Sequence, residues 1–222
     1  MKHYLLGLLS LACLTISHAQ DFKKYPLKIE NIIPIATKNS AEVYKGKEVL
    51  TIEQENSREY AFSIVKETDF HNGVIEIEVA GQPSVNAPAF ARGFVGVAFR
   101  VSKDTSKFEL LYVRPTNARS DDQVRRNHST QYISYPSYPW EKLREESPEK
   151  YESYADLVSG EWTKITIEVT DDKARLFVNG ASQPSLIIND LKHGKDLRGR
   201  IALWIGPGTI ARFSELKIKK LD

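Results

Sequence analysis

Apolar and polar residues alternate with a period of two along much of this chain, most clearly between residues 160 and 218. After Gly160, Glu161, Trp162, Thr163 and Lys164, the apolar residues Ile165, Ile167 and Val169 are separated by polar neighbours. That spacing puts one set of side chains on each face of a strand. Asp171 and Asp172 interrupt it, and Ala174, Arg175, Leu176, Phe177 and Val178 resume it. Asn179 and Gly180 then predict a tight hairpin turn, because both residue types tolerate left-handed backbone. Residues 201–205, a Gly206-Pro207-Gly208 turn and residues 213–218 continue the antiparallel series.

Earlier segments carry the same signal. Residues 48–54, 60–66, 74–79, 94–101 and 108–114 alternate or are rich in β-branched and aromatic residues, with turn-forming breaks at 71–73 and 103–106. Residues 83–91 read as a loop. Short strands at close intervals predict an all-β sandwich or jelly roll, not βαβ units, and residues 160–218 resemble the closing strands of the concanavalin-A-like jelly rolls, which implies that fold. Residues 115–157 break the pattern: they are polar, rich in arginine and tyrosine, and hold a short helix somewhere within 140–154. They are expected to form a structured insertion across one face of the sandwich.

The N-terminus changes the picture of where the protein works. Lys2 and His3 precede an apolar stretch over 4–16, and Ser17-His18-Ala19 follows, as in a secretory signal peptide cleaved near Ala19. The apolar stretch is too short for a bilayer span. A lipoprotein signal ending at Cys13 is the rival reading. The expected organisation is a signal peptide over 1–19 and one jelly-roll domain over 20–222, in an exported protein, periplasmic or secreted. Cleavage would remove the only cysteine, leaving no disulfide and no thiolate chemistry. The 31 Lys and Arg nearly balance the 29 Asp and Glu. A formal net charge of +2 gives no polybasic footprint for nucleic acid.

Alternation also assigns faces. Val95, Val97, Phe99 and Val101 point to the core, which leaves Gly96, Ala98 and Arg100 on the other face with Ala202 and Trp204. Either Tyr112 and Arg114 or Glu109 joins them from the next strand. Small residues beside arginine and aromatic rings suit a ligand: rings stack on sugars, and guanidinium forks bind anions at two points. Trp204 could equally pack beneath the insertion, and Arg100 could pair with Glu109.

The densest chemistry lies in 112–135, which holds Tyr112, Arg114, Asn117, Arg125, Arg126, Asn127, His128, Tyr132 and Tyr135, with Trp140 beyond. Arginines and side-chain amides outnumber acids, which suits an anionic ligand. It suits proton abstraction beside a carboxylate in particular, as at C5 of a uronic acid. Cationic donors neutralise the carboxylate, a histidine or tyrosine takes the proton, and a tyrosine protonates the departing oxygen. His128, Tyr132 and Arg126 are the catalytic candidates. Arg100, Tyr112, Arg114, Asn117, Arg125, Asn127, Tyr135, Trp140 and Trp204 are the binding candidates. Such an elimination needs no metal or other cofactor. Hydrolysis would instead need two carboxyl groups, for which Glu109 with Glu152 or Asp156 is available. Calcium at Asp104, Asn117, Asp121 or Asp122 is the one metal these loops could take.

The segments 94–100, 108–110, 160–164, 176–180 and 213–218 resemble the bacterial 3-keto-disaccharide hydrolase domain family, sometimes labelled glycoside hydrolase family 16-like. The resemblance covers most of the chain after Glu48 and implies a jelly roll, export and a carbohydrate ligand. The chain lacks that family's N-terminal opening around a Gly-Trp pair. Family 16 carries a Glu-x-Asp-x-x-Glu strand; Glu76-Ile77-Glu78 has neither the aspartate nor the final glutamate. Arg100 or Arg114, Asn127-His128 and Tyr132 are similar in kind to the arginine, Gln-x-His pair and tyrosine of jelly-roll polysaccharide lyases. The expected function is carbohydrate activity, first as a lyase on uronate-containing oligosaccharides. A glycosidase or a non-catalytic, lectin-like module are the alternatives. The expected partner is an oligosaccharide or polysaccharide, anionic in character.

Overall fold

The structure, a computed structural model, describes residues 21–55 and 60–221. The expected signal segment, 1–19 with Cys13, lies outside the described residues. Fifteen strands and two helices organise the rest. The strands are β1 (Lys23–Lys24), β2 (Ile32–Ile35), β3 (Thr37–Tyr44), β4 (Lys47–Gln54), β5 (Ala61–Val65), β6 (Gly73–Pro83), β7 (Val95–Val101) and β8 (Phe108–Val113). They continue as β9 (Thr130–Tyr135), β10 (Glu152–Ser153), β11 (Thr163–Thr170), β12 (Lys173–Val178), β13 (Leu186–Ile188), β14 (Arg200–Ile205) and β15 (Thr209–Lys220). The helices are α1 (Gln123–Asn127) and α2 (Trp140–Glu146).

The strands form two antiparallel sheets. The eight-stranded sheet runs β13-β12-β11-β6-β15-β4-β3, with β1 also paired to β15; the seven-stranded sheet runs β10-β9-β8-β7-β14-β5-β2. Late strands insert between early ones, β15 between β6 and β4 and β14 between β7 and β5. This is the jelly-roll sandwich the alternation predicts. Its core is made by the inward sets: Val97, Phe99, Leu111 and Leu203 from one sheet meet Leu50, Ile52, Ile77 and Phe213 from the other, all buried. Each such side chain contributes about 1.5–3 kcal/mol through burial.

Three local readings need amendment. Asn179 and Gly180 both take positive φ, 53° and 72°, as a tight turn requires, yet pairing of β12 with the strand that follows begins only at Leu186, opposite Leu176. The insertion 115–157 is ordered and contains the expected helix, but it also supplies β9, a six-residue strand paired along the whole of β8. Lastly, β15 changes partner midway. Phe213 pairs with Leu50 of β4, a register shift follows Ser214 with Glu215 at φ 54°, and Ile218 pairs with Lys23 of β1. Among the described residues no helix is long and apolar enough to cross a membrane.

Candidate functional site

The outer face of the seven-stranded sheet collects most of the expected residues, and register explains why. Trp204 of β14 pairs with Gly96 of β7, which pairs with Tyr112 of β8, which pairs with Gln131 of β9. Because Gly96 has no side chain, the Tyr112 and Trp204 rings meet above it with centroids 4.7 Å apart. A Cβ on Gly96 would stand 2.4 Å from that of Tyr112. Glycine is therefore required for this contact.

Arg114 organises the polar half of the site. Its Nη2 donates to Tyr112 Oη at 2.8 Å and to Gln131 Oε1 at 3.0 Å. Its Nη1 reaches the Glu152 carboxylate and the His128 carbonyl, each at 3.4 Å. Glu152, on β10, is gripped in a fork by Arg144 of α2 at 2.7 and 2.6 Å, and its Oε1 lies 3.5 Å from His128 Nε2. Trp140 lies beside both guanidinium groups, 4.6 Å from that of Arg144 and 5.6 Å from that of Arg114. Asn117 ties the flank together: its Nδ2 donates to the His128 carbonyl at 3.0 Å, and its Oδ1 accepts from Arg125 Nε at 3.1 Å. Asp122 caps α1 by accepting from Val124 N and Arg125 N, which sets His128 at the helix end.

Electrostatics favour an anion here. Burial lowers the pKa of Arg92 from its ordinary value, and the charges of Arg125 and Arg114 lower it further, so three guanidinium groups crowd one area. Among the described residues neither Arg92 nor Arg125 has a carboxylate partner; Arg92 donates to the carbonyls of Ala89 and Ala91. Burial also pushes the His128 imidazole below its ordinary value; Glu152 opposes this, and Arg144 and Arg114 reinforce it. His128 is therefore neutral near pH 7. Burial raises the Tyr112 phenol against the pull of Arg114, so it keeps its proton. Trp204 is 5 % exposed, and its Nε1 has no acceptor among the described residues. Buried donors of this kind are uncommon in native structures.

Several candidates lie elsewhere. Arg100 was expected beside Gly96 and Ala98, but its φ of 53° breaks the alternation at a bulge in β7, where Phe99 and Arg100 together oppose Ile201 of β14. Its side chain turns inward and donates to the carbonyls of His71, Gly194 and Asp171 and to Asn72 Oδ1. Glu109 and Tyr132 also face inward, bonded to each other at 2.7 Å. Glu109 further accepts from His193 N, and Tyr132 Oη from Lys192 N. All three are fully buried and pin the loop around 190–194. A hydrolytic pair does not form: Glu152 lies on the opposite face from Glu109, and Asp156 is held by Arg119. Arg126 stacks over Tyr154 at 5.4 Å. The Asn127 side chain accepts from Gln123, and Tyr135 stacks on Phe108 at 5.0 Å.

Gln131, Arg144 and Arg92 went unread as site residues. The parity of Gln131 relative to Tyr112 could have found it had β9 been recognised. Among the loop acids considered for calcium, Asp104 accepts from Ser102 and Ser106 and is held at about 2 by those bonds. Asp122 is spent on its helix cap. No cluster of three or more His, Cys, Asp or Glu suited to a metal ion occurs among the described residues. A cavity of about 610 Å³ opens on the other sheet, near where β15 leaves β4, but its lining is acidic, with Glu30, Glu42, Glu48 and Glu215.

No protein-family model and no curated protein sequence matches the chain, so the 3-keto-disaccharide hydrolase resemblance rests on its strand and turn patterns. Solved structures do match in fold. Carbohydrate binding module CBM66 from Bacillus subtilis aligns at TM-score 0.55 and 11 % identity, over 86 % of this chain and 96 % of that one. A Bacillus subtilis protein of unknown function with a galectin-like fold aligns at 0.56 and 11 %, over 90 % and 98 %. A protein provisionally described as a glycosyl hydrolase, from Parabacteroides distasonis, aligns at 0.51 and 13 %, over 90 % and 100 %. At these identities the likeness establishes the architecture: the chain is a concanavalin-A-like jelly roll.

Proposed function

We propose that this protein is carbohydrate-active and holds an acidic saccharide against the outer face of the seven-stranded sheet, where it eliminates across a uronate ring. The observation that carries this reading is that Arg92 and Arg125, which have no carboxylate partner among the described residues, lie within electrostatic reach of Arg114, whose own carboxylate partner Glu152 is already held by Arg144. Arg92 and Arg125 receive the sugar carboxylate. Neutral His128 takes the C5 proton, the C4–C5 double bond forms as the C4–O bond breaks, and Tyr112 gives its proton to the leaving oxygen. Tyr112 replaces Tyr132 in this role, since its oxygen accepts from Arg114 and leaves its own hydrogen to donate. Trp204 and Trp140 supply ring contacts. A saccharide is also the kind of ligand named for CBM66, which shares the fold. The signal-like start of the chain supports export as the setting.

One feature favours a second reading, a binding module without turnover. Both terminal nitrogens of Arg114 are spent on internal partners, as is the Glu152 carboxylate. Incubation with uronate-containing and neutral oligosaccharides separates the two. Elimination raises the ultraviolet absorbance of a double bond conjugated to a carboxylate, and His128→Ala lowers that rate about 100-fold or more while binding persists. Binding without any unsaturated product establishes the module instead. Neither binding nor product with acidic sugars overturns both.

A further inference from the structure

The eight-stranded sheet carries a second aromatic and cationic cluster on its own outer face, at the other side of the sandwich from Trp204. Tyr44 of β3, Arg212 of β15 and Trp162, just before β11, form it. The Arg212 guanidinium sits 4.1 Å from the Tyr44 ring centroid, and the Tyr44 and Trp162 rings meet edge to face at 5.8 Å. Tyr44 is anchored by its hydroxyl, which donates to the Gly160 carbonyl at 2.7 Å. Arg212 is anchored by its Nε, which donates to Glu42 at 2.8 Å.

Two donors in this cluster have no acceptor: Trp162 Nε1 and Arg212 Nη1 are both buried and unpartnered among the described residues. Arg212 is only 8 % exposed. Leaving a buried donor unmade is costly, and natural structures rarely do so twice in one place. What lies over the rings is lysine. Lys45 Nζ stands 5.6 Å from the Tyr44 centroid and Lys47 Nζ 5.4 Å from that of Trp162, and these lysine side chains are about one-third exposed. Long lysine stems laid over aromatic faces swing aside easily.

We infer that this cluster is a second saccharide-binding site, in which a sugar ring displaces the lysines from Tyr44 and Trp162 and its oxygens accept from Trp162 Nε1 and Arg212 Nη1. The nearby ion pairs, Lys47 with Glu78, Lys45 with Glu161 and Lys164 with Glu76, are internally balanced. The ligand is thus chosen by acceptor oxygens and not by net charge. It takes neutral sugars as well as acidic ones, unlike the arginine-crowded site. The inference rests on the carbohydrate reading of the fold but not on elimination.

The chain has three tryptophans, Trp140, Trp162 and Trp204, so three indole N–H signals report on the two faces separately. Each is assigned by its Phe variant in ¹⁵N-labelled protein and followed as glucose or sodium glucuronate is added. The expected result is a saturable shift of the Trp162 signal with both sugars, retained in Trp204→Phe and lost in Arg212→Lys. The Trp204 signal is expected to shift with glucuronate alone. A Trp162 signal that stays still with both sugars, or whose movement disappears in Trp204→Phe, overturns the second site. A still Trp204 signal with a moving Trp162 signal overturns the arginine site and leaves this one standing.

Discussion

In the proposed elimination His128 is the proton acceptor, and its protonation gives a measurable signature. Burial lowers its folded-state value below the ordinary imidazole value of 6.5. Below that ordinary value the unfolded chain takes up a proton that the folded chain refuses, so stability falls as the solution becomes mildly acidic. Asp190 contributes a separate limb. Burial alone would raise its carboxyl, but bonds from Tyr151, Lys192 and Lys150 outweigh that and hold it at about 2. Its stabilisation persists above the ordinary carboxylate range and is lost as pH drops from there toward 2. Urea unfolding midpoints across the acid range should therefore show two limbs in the wild type. His128→Gln should erase the upper limb and keep the lower; retention of both would show that His128 is freely solvated. At this scale the sequence was informative about type: arginine, amide, tyrosine and histidine do lie together. It was uninformative about orientation for Tyr132, because a buried hydroxyl with two good partners reads the same as an exposed one.

Among the elements, legibility followed burial. Strands β7 and β14 each have one apolar set facing the core, so period two placed Gly96 and Trp204 on a shared face, and the structure agrees. Strand β8 is apolar on both faces, so period two left Tyr112 with Arg114 and Glu109 as alternatives, and register puts Tyr112 beside Gly96. Strand β9 was hidden because its residues are polar on both faces, with Thr130 and Ser134 inward and Gln131 outward. Strand β3 was hidden for a different reason. It is an edge strand with mostly exposed residues and owes its conformation to pairing with β4. Arg100 was misplaced by one backbone angle, which no hydrophobic pattern records. Its four hydrogen bonds, three of them to main-chain carbonyls, make it a clamp between β7 and the loops carrying His71, Asp171 and Gly194. Arg100→Met should cost about 3 kcal/mol or more by orphaning those acceptors. Denaturant titration would read that loss, and sugar affinity of the folded protein should be unchanged. Lost affinity in a variant of undiminished stability would return Arg100 to the binding surface.

At the scale of the molecule, charge is local and not global. A net of +2 supplies little long-range attraction, so affinity for an acidic sugar should come from the few guanidinium groups around His128. Screening then matters over short range: the Debye length falls from about 10 Å at 0.1 M salt to about 3 Å at 1 M. Affinity for glucuronate-containing oligosaccharides, measured by calorimetry at those two strengths, should weaken several-fold. Affinity for a neutral sugar should not, and equal salt dependence for both would remove the cationic site as the cause.

The place of β15 has a consequence for how such a chain reaches its final form. This strand is the last in chain order, yet it forms the seam between β6 and β4 rather than a border. Until it arrives, two long strands wait with bare hydrogen-bonding edges and the eight-stranded sheet exists only as halves. Closure is thus governed by contacts between segments far apart in sequence, which makes folding slow and leaves the incomplete chain exposed to sticking.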